Sequence, residues 1–137
     1  MRNFVLMTII LLSFIAFSCN KDGKSERFEL LTTNIWVTDS LLADGVDASG
    51  MGGVLENFKG EAQFKEDGTG TFGSYTGEWY FNDDEETEIM IKPDTEPIYI
   101  LCKVVELTSK SFKITTSIPD KTNPAKVYKI RMTFKPK

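Results

Sequence analysis

The sequence predicts an all-β domain that closes as an eight-stranded antiparallel up-and-down barrel. Apolar and polar residues alternate over short segments, and clusters of Gly, Asp, Asn and Pro interrupt the alternation at short intervals. Beyond the N-terminal apolar run no segment sustains helical periodicity. Hairpin-linked strands with one apolar face can bury it by closing on themselves, which also removes unpaired edges. A β-sandwich uses the same alternation and is the alternative, but the scarcity of long crossovers favours the barrel.

The clearest predicted strand is residues 58–65. Phe58, Ala62 and Phe64 share one face, polar side chains share the other, and Asp67-Gly68 then supplies a turn that hairpins favour. The same alternation predicts strands at 35–40, 58–65, 69–75, 77–81, 87–92, 98–107, 112–118 and 127–134. The residues predicted to face inward are Phe58, Ala62, Phe64, Phe72, Trp79, Phe81, Ile89, Ile91, Ile100, Cys102, Val104, Phe112, Ile114, Tyr128, Ile130, Met132 and Phe134.

The N-terminus has the pattern of a bacterial export signal. Arg2 precedes the fourteen uncharged residues 4–17, a run shorter than the about 20 residues that a spanning helix needs. Ser18-Cys19 ends this run and resembles the lipobox of bacterial lipoproteins, which implies cleavage before Cys19 and acylation of that residue. The alternative is an ordinary signal peptide with an incidental Cys. We therefore divide the chain into a signal peptide at 1–18, a lipidated Cys with a polar tether at 19–27, and a barrel domain at 28–137.

Composition narrows the possible chemistry. The chain has no His and a formal net charge of −4, which argues against His-dependent catalysis, His-ligated metals and nucleic-acid binding. Cys102 lies in an apolar segment and is predicted to be a small buried hydrophobe rather than a nucleophile. The acidic run 83–86 does not have the spacing of an EF-hand loop, and nothing places it in a cleft. We therefore predict no enzymatic activity, no metal and no cofactor.

Three short motifs suggest a family. The segment 30–36, which ends at Trp36, resembles the opening of lipocalin-like domains. The segment 64–71, with Asp67-Gly68-Thr69-Gly70-Thr71, and the following Gly77-Glu78-Trp79 resemble the hairpin motifs of lipocalin-like lipoproteins of Bacteroidota. Lys21-Asp22 resembles the signal that sends such lipoproteins to the outer leaflet. The resemblance implies an outer-membrane, surface-exposed barrel whose open end can hold an apolar molecule.

The chain departs from the family pattern in two places. Asn34 replaces the Gly that precedes the opening Trp in the family. Lipocalins also place an Arg from the last strand region across that Trp, but alternation predicts that Arg131 faces outward.

Two functions remain open at this point. The first is binding of a small apolar molecule, with Trp36, Phe64, Phe72, Trp79 and Tyr128 as the candidate pocket lining. A long Gly-rich segment, 41–55, would then act as a lid through Leu42, Val46 and Met51. The second is an interaction or structural protein, in which side chains fill the barrel and the loops are displayed to another envelope component. An eight-stranded barrel is wide enough for either interior.

Overall fold

The computed structural model describes residues 23–137, so the predicted signal peptide and Cys19 lie outside the described residues. Within that range the chain forms one α-helix, nine strands and one short 3-10 helix, Glu56–Phe58. The helix is α1 (Glu26–Thr33), and the strands are β1 (Ile35–Ala43), β2 (Val46–Asp47), β3 (Glu61–Phe64), β4 (Thr69–Phe72), β5 (Tyr75–Phe81), β6 (Glu88–Pro93), β7 (Ile100–Leu107), β8 (Phe112–Pro119) and β9 (Val127–Pro136).

The strands form a closed antiparallel barrel of lipocalin-like architecture. From β3 onward each strand pairs with the next along the chain, while β1 pairs with β3 on one side and with β9 on the other. Trp36 lies opposite Ala62 of β3, and Leu41 lies opposite Met132 of β9. β2 is an addition to the eight-stranded cycle and pairs only with the end of β1. The predicted barrel is therefore confirmed over the sandwich.

Aromatic rings fill the barrel interior. Every residue predicted to face inward is buried or packs half-buried against the core. Phe64 lies at the centre, with ring centroids 5.2 Å from Phe72, 5.4 Å from Trp79 and 5.7 Å from Phe112. The void left beside Phe64 and Phe72 in the interior is only about 20 Å³. The barrel thus contains a packed core, and burial of its large side chains stabilises the closed sheet by about 1.5–3 kcal/mol each.

The helix α1 was not predicted, and it begins inside the segment expected to be a tether. Ser25 caps it, since the Ser25 hydroxyl accepts a hydrogen bond from the Phe28 amide at 3.0 Å. Leu31 is fully buried and Phe28 packs on the Trp79 ring at 5.7 Å. A helix of eight residues is marginal alone, so this tertiary packing, which periodicity does not show, stabilises it. No helix among residues 23–137 is long and apolar enough to cross a membrane.

The first strand is longer than predicted. It continues to Ala43, and both Leu41 and Ala43 are buried, so residues 41–43 belong to the sheet and not to the following loop. Asp44 and Gly45 both have positive φ angles, 51° and 81°, and connect β1 to β2 as a two-residue turn. This geometry is that of the tight turns that Asp-Gly favours in hairpins.

Candidate functional site

One end of the barrel is closed by α1 and by two tryptophans. Trp36 is fully buried, donates its indole N–H to the Leu31 carbonyl at 3.2 Å, and meets the Phe112 ring edge-on at 5.5 Å. Trp79 donates its indole N–H to the Lys65 carbonyl at 2.9 Å. Both polar N–H groups are therefore satisfied inside the core, and both rings serve as packing at this end.

The acidic β5–β6 loop fastens α1 to the barrel. The Ser25 hydroxyl donates to the Glu86 carboxylate at 2.7 Å, and the Arg27 side chain donates to the Glu86 carbonyl at 3.0 Å. Asp83 closes the loop on itself, because its carboxylate accepts hydrogen bonds from the Thr87 side chain and from the Thr87 and Glu88 amides. These bonds, the Thr87 hydroxyl first, hold the pKa of Asp83 below its usual value. Among residues 23–137 no three potential metal-ligating side chains converge.

The opposite end of the barrel holds a solvent-connected cavity of about 370 Å³. We call it the mouth cavity. Its apolar lining comes from strand ends and from the segment that precedes β3: Phe58, Tyr75, Ile98, Ile100, Ile118 and Tyr128. Phe58 and Tyr75 pack ring against ring at 5.0 Å. Clefts in the mouths of β-barrels with mostly apolar lining and a few polar groups are a common form of small-molecule site.

The segment between β2 and β3 covers part of this end. Leu55 is fully buried, and Val54 and Phe58 pack half-buried against the core. Gly53 permits the close approach of the chain, since a Cβ atom there would lie 2.2 Å from the Ala48 carbonyl oxygen. The Leu55 amide donates to that same Ala48 carbonyl at 3.0 Å. The Gly-rich composition therefore reflects a tight fold of this segment over the barrel end.

The three predicted lid residues lie elsewhere. Leu42 is on the outward face of β1, opposite Arg131 of β9. Val46 and Met51 are 69% and 98% exposed. None of the three lines the mouth cavity, and the cover over this end comes from Val54, Leu55 and Phe58. A lid role for Leu42, Val46 and Met51 stays a prediction, because none of the three side chains lines the mouth cavity.

A hydrogen-bonded turn at 120–123 fixes the polar rim of the mouth. The Asp120 carboxylate accepts hydrogen bonds from the Tyr128 hydroxyl and the Thr122 hydroxyl at 2.7 Å each, and from two backbone amides. These bonds, that of Tyr128 first, hold the pKa of Asp120 well below its usual value. Lys126 lies over the Tyr128 ring at 4.6 Å from its centroid. Tyr128 is thus held between its hydroxyl partner and a cation.

The candidate pocket residues divide between the mouth and the core. Of the five, Tyr128 lines the mouth cavity. Phe64 and Phe72 line the void of about 20 Å³ in the interior, and Trp36 and Trp79 lie toward the end closed by α1. Their packing is that of core residues, and their predicted part in binding remains a prediction.

Sequence reasoning did not single out most of the mouth residues. Alternation predicts that Phe58 faces inward but does not mark it as a site residue, and it does not single out Tyr75, Ile98 or Ile118, which also line the mouth. Each lies at a strand end or beside a turn, where alternation is interrupted. One sequence feature could have identified these mouth residues. Each is an apolar residue near a Gly, Pro or Asp that ends a strand, and these strand ends lie at the same side of the barrel.

Cys102 behaves as a core residue. It is buried in β7, and burial raises the pKa of its thiol to about 12, so the thiol is neutral at physiological pH. Its predicted place as a small buried hydrophobe is confirmed. Arg131 is exposed, as predicted, and the ring beside Trp36 is that of Phe112.

The geometry of the barrel and its cavities is the basis for a functional assignment, because comparison with known proteins gives no match. No protein-family model matches the chain, and no curated protein matches it significantly.

Proposed function

We propose that the protein is a non-catalytic binder of a small, mainly apolar molecule and that the ligand occupies the mouth cavity. The observation that carries this proposal is the contrast between the two spaces in the barrel. The interior retains a void of about 20 Å³, whereas the mouth cavity offers about 370 Å³ that opens to solvent. Ligand sites for small molecules commonly measure about 300–1,000 Å³. The mouth therefore has the required size, and the packed interior does not.

The lining of the mouth suits a ligand with an apolar body and one polar end. Ile98, Ile100 and Ile118 offer aliphatic surface, and each Å² of apolar ligand surface removed from water contributes about 25 cal/mol. Asn57 and Thr122 stand on the polar side of the same cavity. A polar group of the ligand near these side chains would set its orientation, because a few directed hydrogen bonds fix a pose in an apolar cleft.

The N-terminal pattern supports an anchored form of this binder. In the proposal Cys19 carries the lipid, the chain is held in the cell envelope at the outer membrane, and the barrel is displayed at the surface. The lipobox-like Ser18-Cys19 and the following Lys21-Asp22 support this part. Two or more acyl chains give firm membrane attachment, since each buried methylene contributes about 0.8 kcal/mol.

Binding is tested by native mass spectrometry of residues 20–137, which include the whole barrel, after incubation with a lipid extract of the source cells. We expect a discrete adduct of low mass on the wild-type chain. Ile118→Asp should abolish it, because a carboxylate would then stand in the apolar wall of the cavity. Val127→Asp is the matched control, since Val127 is exposed at the same end of the barrel and does not line the cavity.

The outcomes of this experiment separate binding from folding. Circular dichroism of both variants reports whether the barrel is retained. An adduct that is lost in folded Ile118→Asp and kept in Val127→Asp supports the mouth. A bare mass for the wild-type chain under all conditions contradicts ligand binding.

Lipid anchoring is tested by a single substitution in the full-length chain. Cys19→Ala removes the thiol and the acylation site, so the protein should move from the membrane fraction to the soluble fraction. Cys102→Ala is the control, because Cys102 is buried in the barrel core. Retention of Cys19→Ala in the membrane fraction would contradict the lipoprotein assignment.

A row of apolar residues on the outside of the barrel favours a second function, interaction with another envelope protein. Tyr80 of β5 lies opposite Met90 of β6, which lies opposite Leu101 of β7, and Tyr80 is 50% exposed. Apolar rows that face solvent are a feature of interaction surfaces. A specific envelope protein that co-purifies with the wild-type chain but not with Tyr80→Ser/Leu101→Ser would favour this function over the first.

A further inference from the structure

The chain that precedes α1 reaches the barrel at the end that α1 plugs, which we call the closed end. Lys24 pairs with Glu66 of the β3–β4 turn at 2.9 Å, and the Ser25 hydroxyl donates to the Glu86 carboxylate of the β5–β6 loop. The strands β3 and β5 start beside the mouth, so the connections that follow them lie at the opposite end of the barrel. The tether and the mouth cavity are therefore at opposite ends of the molecule.

The mouth lies a full barrel height away from the start of α1. The strand β9 runs from Val127, beside the mouth, to Pro136, which lies next to Lys137 at the closed end and opposite Trp36. Its ten residues rise by about 3.3 Å each, and strands in such barrels tilt by about 35–45° from the axis. The height of the barrel along its axis is thus about 25 Å.

The helix α1 is packed into the closed end and does not lengthen the tether. Leu31 is fully buried, and Phe28 packs on the Trp79 ring with 5.7 Å between the ring centroids. Release of α1 would expose both apolar side chains to water, which the hydrophobic effect opposes. The chain can therefore pivot only at Ser25 or before it.

The segment between the proposed anchor and α1 is short. Cys19 precedes Ser25 by six residues, and an extended chain spans at most about 3.3–3.6 Å per residue. With the acyl chains of Cys19 in a bilayer, Ser25 stays within about 20 Å of the lipid. If the mouth lay against that bilayer, Ser25 would stand about 25 Å or more above it. The tether is too short for that orientation.

We propose that the mouth cavity faces away from the membrane that holds the anchor and receives its ligand from the aqueous side. This inference rests on the proposed ligand site and on the proposed lipid at Cys19. A ligand from the anchoring bilayer would have to cross water before it reached the mouth. That bilayer therefore has no direct route into the cavity, and the ligand source is one that approaches from solution.

The surface around the mouth would allow the opposite orientation if the tether were longer. Met51, next to Gly52 of the mouth lining, is 98% exposed, and Val127 is 51% exposed at the same end. Exposed apolar side chains around an apolar cavity favour contact with another apolar surface. The position and length of the tether, rather than the polarity of the rim, keep the mouth off the anchoring bilayer.

The orientation is tested with the full-length lipidated protein in phosphatidylcholine vesicles by fluorescence energy transfer. A donor dye is placed by Met51→Cys at the mouth end or by Ser109→Cys in the β7–β8 turn at the closed end, and both positions are exposed. Acceptor dyes on the lipid headgroups report how close each donor lies to the bilayer. Wild type is the labelling control and should take no dye, because Cys19 carries the lipid and Cys102 is buried.

We expect greater energy transfer from Ser109→Cys than from Met51→Cys. Equal transfer from the two positions, or greater transfer from Met51→Cys, overturns the proposed orientation. Insertion of about twenty Gly and Ser residues between Asp22 and Gly23 gives a flexible tether that exceeds the barrel height. In that variant the difference between the two positions should shrink, and an unchanged difference would overturn the role of the short tether.

The route of the ligand is followed by native mass spectrometry of the anchored protein after its release in mild detergent. Lipid extract of the source cells is supplied either in the anchoring vesicles or in separate vesicles. The adduct should form no faster from the anchoring vesicles, and faster loading from them overturns the proposed route.

The failures of the underlying proposals have different signatures. A bare mass with both sources of extract contradicts ligand binding, and with it the proposed route. Failure of the wild-type chain to attach to vesicles contradicts the lipid anchor, and with it the proposed orientation. Energy transfer does not depend on a bound ligand, so the orientation and the binding are measured separately.

Discussion

Asp120 illustrates how one side chain shapes the candidate site. Its carboxylate has four hydrogen-bond donors around it, and one of them is the hydroxyl of Tyr128 in the mouth lining. Since all four donors stabilise the charged form, the pKa of Asp120 lies below its ordinary value of 3.8 in the folded protein. The turn that carries the polar rim is therefore held by an ionised group.

The first prediction concerns the pH dependence of this group. A carboxyl whose pKa is lower in the folded state stabilises the fold above its unfolded pKa, and that contribution is lost as the pH falls through the folded pKa. Asp120→Asn should lower the Tm by a few degrees at neutral pH, and the difference from wild type should shrink as the pH falls from about 4 to about 2. Differential scanning calorimetry measures both.

The control for this prediction is Asp84→Asn, an exposed carboxyl in the β5–β6 loop. It removes the same charge and should change the Tm little at any pH. A difference between wild type and Asp120→Asn that stays constant down to about pH 2 would contradict the assigned role of the carboxylate.

At the scale of elements, α1 depends on its cap and on its contact with the β5–β6 loop. Ser25→Ala removes the acceptor for the Phe28 amide and the donor to the Glu86 carboxylate together. Loss of an N-cap costs about 0.5–2 kcal/mol, and we expect a lower free energy of unfolding in this range. Urea denaturation measures it, with Ser109→Ala, an exposed serine of the β7–β8 turn, as control. Equal stability of the two variants would contradict a structural role for the cap.

The elements differ in how far the sequence predicts them. Strands such as β3 and β9 are predictable because one of their faces is buried, so the period of two is strict along the chain. The helix α1 is not predictable in this way, because its apolar residues are buried by side chains that lie far away along the chain: Phe28 packs on Trp79, and Leu31 joins the barrel core. The sequence does not show that residues 41–43 continue β1, because their partner β9 lies some ninety residues away along the chain.

The candidate site is less predictable than the core for the same reason. Apolar alternation shows which residues face inward, but it does not show how far up the barrel each of them lies. Phe72 and Tyr128 both face inward on this criterion, yet Phe72 is buried in the interior and Tyr128 lines the mouth. The depth of a residue is set by the register of all the strands together, and register emerges only on closure between β1 and β9.

At the scale of the whole molecule, the barrel has one end plugged, an interior filled and one end open. The helix α1 and the two tryptophans plug one end, and the aromatic cluster around Phe64 fills the interior. The mouth cavity is at the open end. A ligand that entered the interior would have to displace buried aromatic rings, each of which stabilises the fold by about 1.5–3 kcal/mol. Binding at the mouth requires no such displacement.

The most direct test of this account is methyl NMR of the isoleucines during titration with the extracted ligand or lipid fraction. The isoleucines report on each level of the barrel, because Ile98, Ile100 and Ile118 line the mouth while Ile89 lies fully buried beside the closed end. We predict saturable chemical-shift changes at the three mouth residues and none at Ile89. Shifts at Ile89, or no shift at any mouth isoleucine, would contradict a ligand site in the mouth cavity.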